Sequence, residues 1–133
     1  MKFNLIILCH LFLCNCNNLN NDQQSETDTT IRFEKNTHDF GRLKMDSRVS
    51  RNFKVSNAGD HALLIHDIKS SCGCTVPEWP KQPIKKGESH HINVTFDASH
   101  PGVFRKSIIV HYNGAGSPDT LIIKGKVAFP ENI

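Results

Sequence analysis

The chain has 133 residues, 38% of them apolar and 22% charged, with a formal net charge of +3. That length allows one domain, and the composition excludes a disordered or fibrous polymer. From Ile31 onward 15 Lys/Arg stand against 10 Asp/Glu, scattered singly apart from Lys85-Lys86 and Arg105-Lys106. With no basic stripe and no interleaved aromatics, nucleic acid is not an expected partner.

At the amino terminus Met1-Lys2 precedes the apolar run Leu5 to Leu13. The run is too short for a bilayer span, which takes about 20 residues, and has the length of an export-signal core. Leu13-Cys14-Asn15-Cys16 resembles a bacterial lipoprotein signal, in which a Leu three residues before a Cys marks cleavage and lipidation. Asn15 departs from the usual small residue, but Leu13 before Cys14 departs further. Cys16 is therefore the expected lipidation site, with a membrane as partner through that anchor. An ordinary cleaved signal with incidental cysteines is the alternative. The expected organisation is a signal peptide over 1–15 and a lipidated, polar tether over 16–30. A folded domain over 31–129 and a short tail over 130–133 complete it. The tether carries Asp22, Glu26 and Asp28 and a single Leu, too little apolar surface to offset the entropy of ordering.

From Ile31 the texture changes to short runs of alternating apolar and polar residues. Ile31-Arg32-Phe33-Glu34 alternates, and Thr37-His38-Asp39-Phe40-Gly41 continues the pattern. Val49, Phe53 and Val55 share a face that Arg51 interrupts, and Asn57-Ala58-Gly59-Asp60 reads as a tight hairpin turn. The denser run Ala62 to Lys69 reads as a central strand. Pro77, Pro80 and Pro83 make Val76 to Pro83 an irregular crossover between sheets. Ile92, Val94 and Phe96 alternate with polar neighbours. Phe104, Ile108, Val110 and Tyr112 do the same around the misfit Lys106, and so do Leu121, Ile123 and Val127. No window repeats at helical spacing. The expected fold is all-β, an immunoglobulin-like antiparallel β-sandwich of about seven strands.

The fragments Asp39-Phe40-Gly41, Asn57-x-Gly59, Ser71-Cys72-Gly73-Cys74-Thr75, Pro83-Ile84-x-x-Gly87 and Gly125-x-Val127 occur in an order that resembles the domain-of-unknown-function 1573 family of bacterial exported proteins. The resemblance runs from His38 to about Val127. It implies an immunoglobulin-like domain in an export compartment, a binding or structural module of the cell envelope, and no established activity.

Once the signal is removed and Cys16 is acylated, Cys72 and Cys74 are the remaining thiols, in a compartment where disulfides persist. Residues i and i+2 of an extended segment project to one side, so both sulfurs can approach, and Gly73 would relieve a tight bend between them. Three readings compete: a small local disulfide, a soft-metal pair for Cu(I), or two reduced thiols used as apolar packing. A structural role ranks first, copper second and thiol exchange third. The pair lacks the Cys-x-x-Cys spacing at a helix start that redox enzymes use, and no second Cys pair completes a zinc site. Trp79 reads as a plug over one end of the core, with an exposed anchor for an envelope protein partner as the other reading. No Gly-x-Ser-x-Gly elbow or phosphate loop is present. The expectation is a non-enzyme without a resident cofactor. The rival is a Cu(I)-binding or thiol-redox protein centred on Cys72 and Cys74.

Overall fold

The computed structural model describes residues 29–129; the expected lipidation site Cys16, the expected signal peptide and the tail lie outside them. Eight strands follow in order: β1 (Ile31–Phe33), β2 (Thr37–Leu43), β3 (Arg48–Asn57), β4 (Ile65–Ser70), β5 (Thr75–Glu78), β6 (Ser89–Asp97), β7 (Gly102–Tyr112) and β8 (Asp119–Val127). They form two four-stranded sheets, β1-β3-β6-β5 and β2-β8-β7-β4. The alternation seen in the sequence decides which faces meet. Phe53, Val55, Ile92, Val94 and Phe96 of the first sheet are buried, as are Ile108, Val110, Leu121 and Ile123 of the second. Each such side chain contributes roughly 1.5–3 kcal/mol by leaving water. Phe96 and Phe104 stack across the interior with ring centroids 4.2 Å apart.

The immunoglobulin-like sandwich is as expected, with eight strands rather than about seven and one pair that is not antiparallel. β2 and β8 run parallel. The chain changes sheet between Phe33 and Thr37 and keeps its heading, so β2 meets β8 in the same direction. This pair carries two of the sequence landmarks. Gly41 sits at φ +67°, a conformation that favours glycine, beside a register shift between Asp39 and Arg42. The Gly41 amide donates to Asp39 Oδ1 at 2.8 Å. A Cβ on Gly125 would lie 2.8 Å from the Gly41 carbonyl oxygen and 2.9 Å from the Phe104 ring, so the two landmarks are one close contact.

Three expectations need correction. Asn57 to Asp60 makes no hairpin, because β3 and β4 belong to different sheets and the turn carries the chain between them. A turn signal reports local backbone geometry and is silent on which sheet comes next. Asn57 is instead a buried hub, 1% exposed. Its Nδ2 donates to the carbonyls of His61 at 2.7 Å and Ile84 at 2.9 Å, and its Oδ1 accepts from the Gly59 amide at 2.9 Å. The Gly87 amide, at φ +76°, donates to the Asn57 carbonyl. The Asn-x-Gly and Pro-Ile-x-x-Gly landmarks thus meet at one residue. The second correction concerns β4, an edge strand rather than a central one. The density of its run reflects Leu63, which is buried outside the strand and bridged to Ile84. Third, the start of the Pro-rich crossover is itself a strand. β5 pairs with β6 from Thr75 to Glu78 and includes Pro77, which a sheet edge tolerates because one side of the strand needs no donor.

Candidate functional site

β4 ends at one edge of the second sheet and β5 begins at the edge of the first, so residues 71–74 carry the chain from sheet to sheet. Neighbouring strands hold both sides of this loop. The Ser71 amide donates to the Ser107 carbonyl at 3.0 Å, and the Ser107 amide donates to Ser71 Oγ at 3.2 Å. On the other side the Asp97 amide donates to the Cys74 carbonyl at 2.9 Å. Ser70 Oγ donates to the Cys72 carbonyl at 2.8 Å, and the Thr75 amide reaches the same oxygen at 3.3 Å.

Within the loop the Cys72 and Cys74 sulfurs are bonded to each other, with Cα atoms 5.3 Å apart. Cys72 Sγ lies 3.6 Å from the hydroxyl of Thr75, itself only 2% exposed. Ligation of Cu(I) by this pair would first require reduction of the bond. Among the described residues no group of three or more His, Cys, Asp or Glu gathers as a metal set. Gly73 does not act as expected. A Cβ there would meet nothing within 4 Å, and its φ is not left-handed, so the bend itself does not demand glycine. Gly73 lines a cleft.

That cleft, about 340 Å³, is bounded by Arg48, Gly73, Cys74, Val76, Thr95 and Asp97. A second, of about 190 Å³, shares Cys74 and Asp97 and continues past His100 to Val103. Cys74 is therefore a ridge between two hollows. Val76 and Val103 are 46% and 82% exposed, apolar groups that the sandwich leaves in solvent beside the disulfide. The sequence singled out the cysteines but not Arg48, Asp97, Val76 or Val103. These come from four strands, and each reads by itself as an ordinary strand-end residue.

Trp79 is half-buried against the core just beyond β5. Its Nε1–H donates to the Ile65 carbonyl at 3.3 Å, and the Lys81 ammonium lies over its ring, 3.0 Å from the centroid. It closes the side between the β4 and β5 edges, away from the disulfide end, with one ring face already covered by Lys81.

A family model described as "Protein of unknown function (DUF1573)" matches residues 31–127, the full span of the eight strands. No curated protein matches the chain. Among solved structures, a protein of unknown function from Porphyromonas gingivalis is similar with a TM-score of 0.67 and 15% identity, over 77% of this chain and 48% of that one. The chain thus spans about half the length of that protein. An ASH/PapD-like domain of human CEP192 is similar with a TM-score of 0.62 and 11% identity, over 79% of this chain and 88% of that domain. The Vibrio cholerae VesB protease is similar over 77% of this chain but only 32% of its own, with 18% identity and a TM-score of 0.54. At such identities the likeness is one of fold.

Proposed function

The chain belongs to the DUF1573 family, and from that premise we propose a non-enzymatic binding or structural module of the cell envelope. In this reading a lipid on Cys16 holds the domain to a membrane, and the Cys72–Cys74 end of the sandwich meets a protein partner. The observation that carries the reading is the placement of the two ends. The chain enters the sandwich at Thr29, whose neighbour Thr30 accepts a hydrogen bond from Ala58 beside the Asn57 hub. The disulfide loop, Val76 and Val103 stand at the other end. β6 connects the two ends with 9 residues, a separation of roughly 30 Å at strand rise. A domain held by its amino terminus would turn that end away from the anchor. The non-enzymatic part is supported by an interior packed, among the described residues, with aliphatic and aromatic side chains.

Fractionation of cells producing the full-length chain tests the anchor. Wild-type protein should sediment with membranes and carry its lipid on Cys16 by mass spectrometry, whereas Cys16→Ala should be released. A protein that stays membrane-bound with Cys14 modified moves the lipid to Cys14. Wild-type protein found soluble and unacylated removes the anchor from the proposal.

A further inference from the structure

β3 is covered along its whole length on one side and along only part of it on the other. From Arg48 to Ser56 it pairs with β6, but β1 meets it only at Val55 to Asn57. Among the described residues, Arg48 to Asn52 have no strand on that second side. Arg51 occupies this stretch in the core-facing row that Phe53 and Val55 continue. A guanidinium therefore stands at the seam where the chain passes from β1 to β2. Its Nε is buried and has no hydrogen-bond partner, and none of the ion pairs includes Arg51, among the described residues. Arginine keeps its charge at any physiological pH, and although the Arg51 side chain is only partly buried, a donor buried without a partner is costly.

A cleft of about 190 Å³ opens beside it. Lys35, Lys54, His91, Asn52 and the Glu34 carboxylate join Arg51 in its lining. Glu34 lies 3.8 Å from Lys54 Nζ, so three fixed cations face one carboxylate. On the opposing β2, burial and then the charge of Arg51 hold His38 below the usual histidine range. We propose that this notch is an oxyanion site, in which the planar fork of Arg51 takes a carboxylate or phosphate group in a bidentate pair. Lys35 lines the same cleft and adds a second positive charge. A volume of about 190 Å³ suits such a group rather than a large ligand. Two sources share this chemistry: an oxyanion in solution, or the carboxylates of Asp22, Glu26 and Asp28 in the same chain. The site is separate from the disulfide end and does not depend on the function proposed above.

The test follows the Arg51 Nε–H resonance of the mature protein by NMR while inorganic phosphate or acetate is added. It uses wild type and the variant Asp22→Asn/Glu26→Gln/Asp28→Asn. A saturable shift in wild type supports a site open to solute. A shift that appears only in the triple variant supports the same site filled by the chain's own carboxylates. Arg51→Met keeps the apolar stem without the guanidinium, and should weaken the responses of Lys35 and His91 by about tenfold or more, equivalent to about 1.4 kcal/mol. The proposal is overturned if Arg51 Nε–H stays still in both proteins until exposed lysines such as Lys124 respond. It is equally overturned if Lys35 and His91 respond unchanged in Arg51→Met, which would mark an adventitious ion only.

Discussion

The end of the sandwich that holds Asn57 is sealed by hydrogen bonds and by Leu63, Ile84 and Tyr112. The end that holds the Cys72–Cys74 bond is held by backbone hydrogen bonds to β6 and β7 and leaves Val76 and Val103 in solvent. Both ends face the same problem, a chain that must cross between sheets without stranding its polar groups. The first end uses its side-chain polarity internally: the donors and acceptor of Asn57 all go to backbone groups, Gly59 and His61 in the same crossing and Ile84 in the β5–β6 connection. At the second end backbone groups of neighbouring strands hold the loop, so the side chains around it are left to face outward. The exposed apolar groups thus stand where backbone hydrogen bonds hold the crossing and no apolar seal covers it.

The sharpest way to break this comparison is to remove the hub. Asn57→Ala strands the buried Gly59 amide and leaves the Ile84 carbonyl with the Leu63 amide alone, and should lower stability by about 3 kcal/mol in urea unfolding. A loss no larger than that of an exposed Asn such as Asn52 would show that the closed end is not sealed by this residue.

A smaller effect is expected from Tyr112 at the same end. Its hydroxyl donates to Asp119 Oδ2 at 3.0 Å. Burial first, then that bond and the Asp119 charge, raise its pKa from 10.0 to about 12. The folded value lies above the unfolded one, so the neutral phenol contributes stability that is intact below pH 10. That contribution is lost as the pH climbs through 10 toward about 12. The expected loss is about 2 kcal/mol, read as a fall in the denaturation midpoint that Tyr112→Phe abolishes, with phenolate absorbance following the titration. An equal fall in Tyr112→Phe would place the alkaline sensitivity elsewhere.

The smallest of the three effects belongs to the open end. The Cys72–Cys74 bond closes a ring of residues only two apart in sequence, so the loop-entropy gain is about 1.5 kcal/mol. Cys72→Ser/Cys74→Ser, or wild type under reductant, should lose about that much in thermal unfolding and keep its β-sheet signature. Collapse of the fold would mean that the bond, rather than the Ser71–Ser107 and Asp97–Cys74 hydrogen bonds, holds the crossing.

Much of this contrast was readable in the residues, and the unread part has a common cause. Alternation in Ile92 to Phe96 and in Leu121 to Val127 announces buried faces because a strand projects side chains with period two. The misfit Arg51 was visible against Val49 and Phe53. Its place at the seam was not, because that depends on where β1 stops pairing with β3. Asn57-Ala58-Gly59-Asp60 looked like a hairpin turn because such turns share composition with a sheet-to-sheet crossing. Pro77 argued against pairing, yet on the edge of a sheet it is accommodated. Gly73 looked like a requirement of the bend, whereas the structure gives a Cβ there open space.

The sequence by itself determined the strand class, the faces that meet, the family and the landmark cysteines, since each rests on local periodicity or on a short ordered motif. Tertiary structure alone decided that Gly41 meets Gly125, that Asn57 gathers Gly59, Ile84 and Gly87, and that Cys74 divides two clefts lined by Arg48, Asp97, Val76 and Val103. Those relations join residues far apart in the chain. Strand order and register, which no local pattern encodes, bring them together.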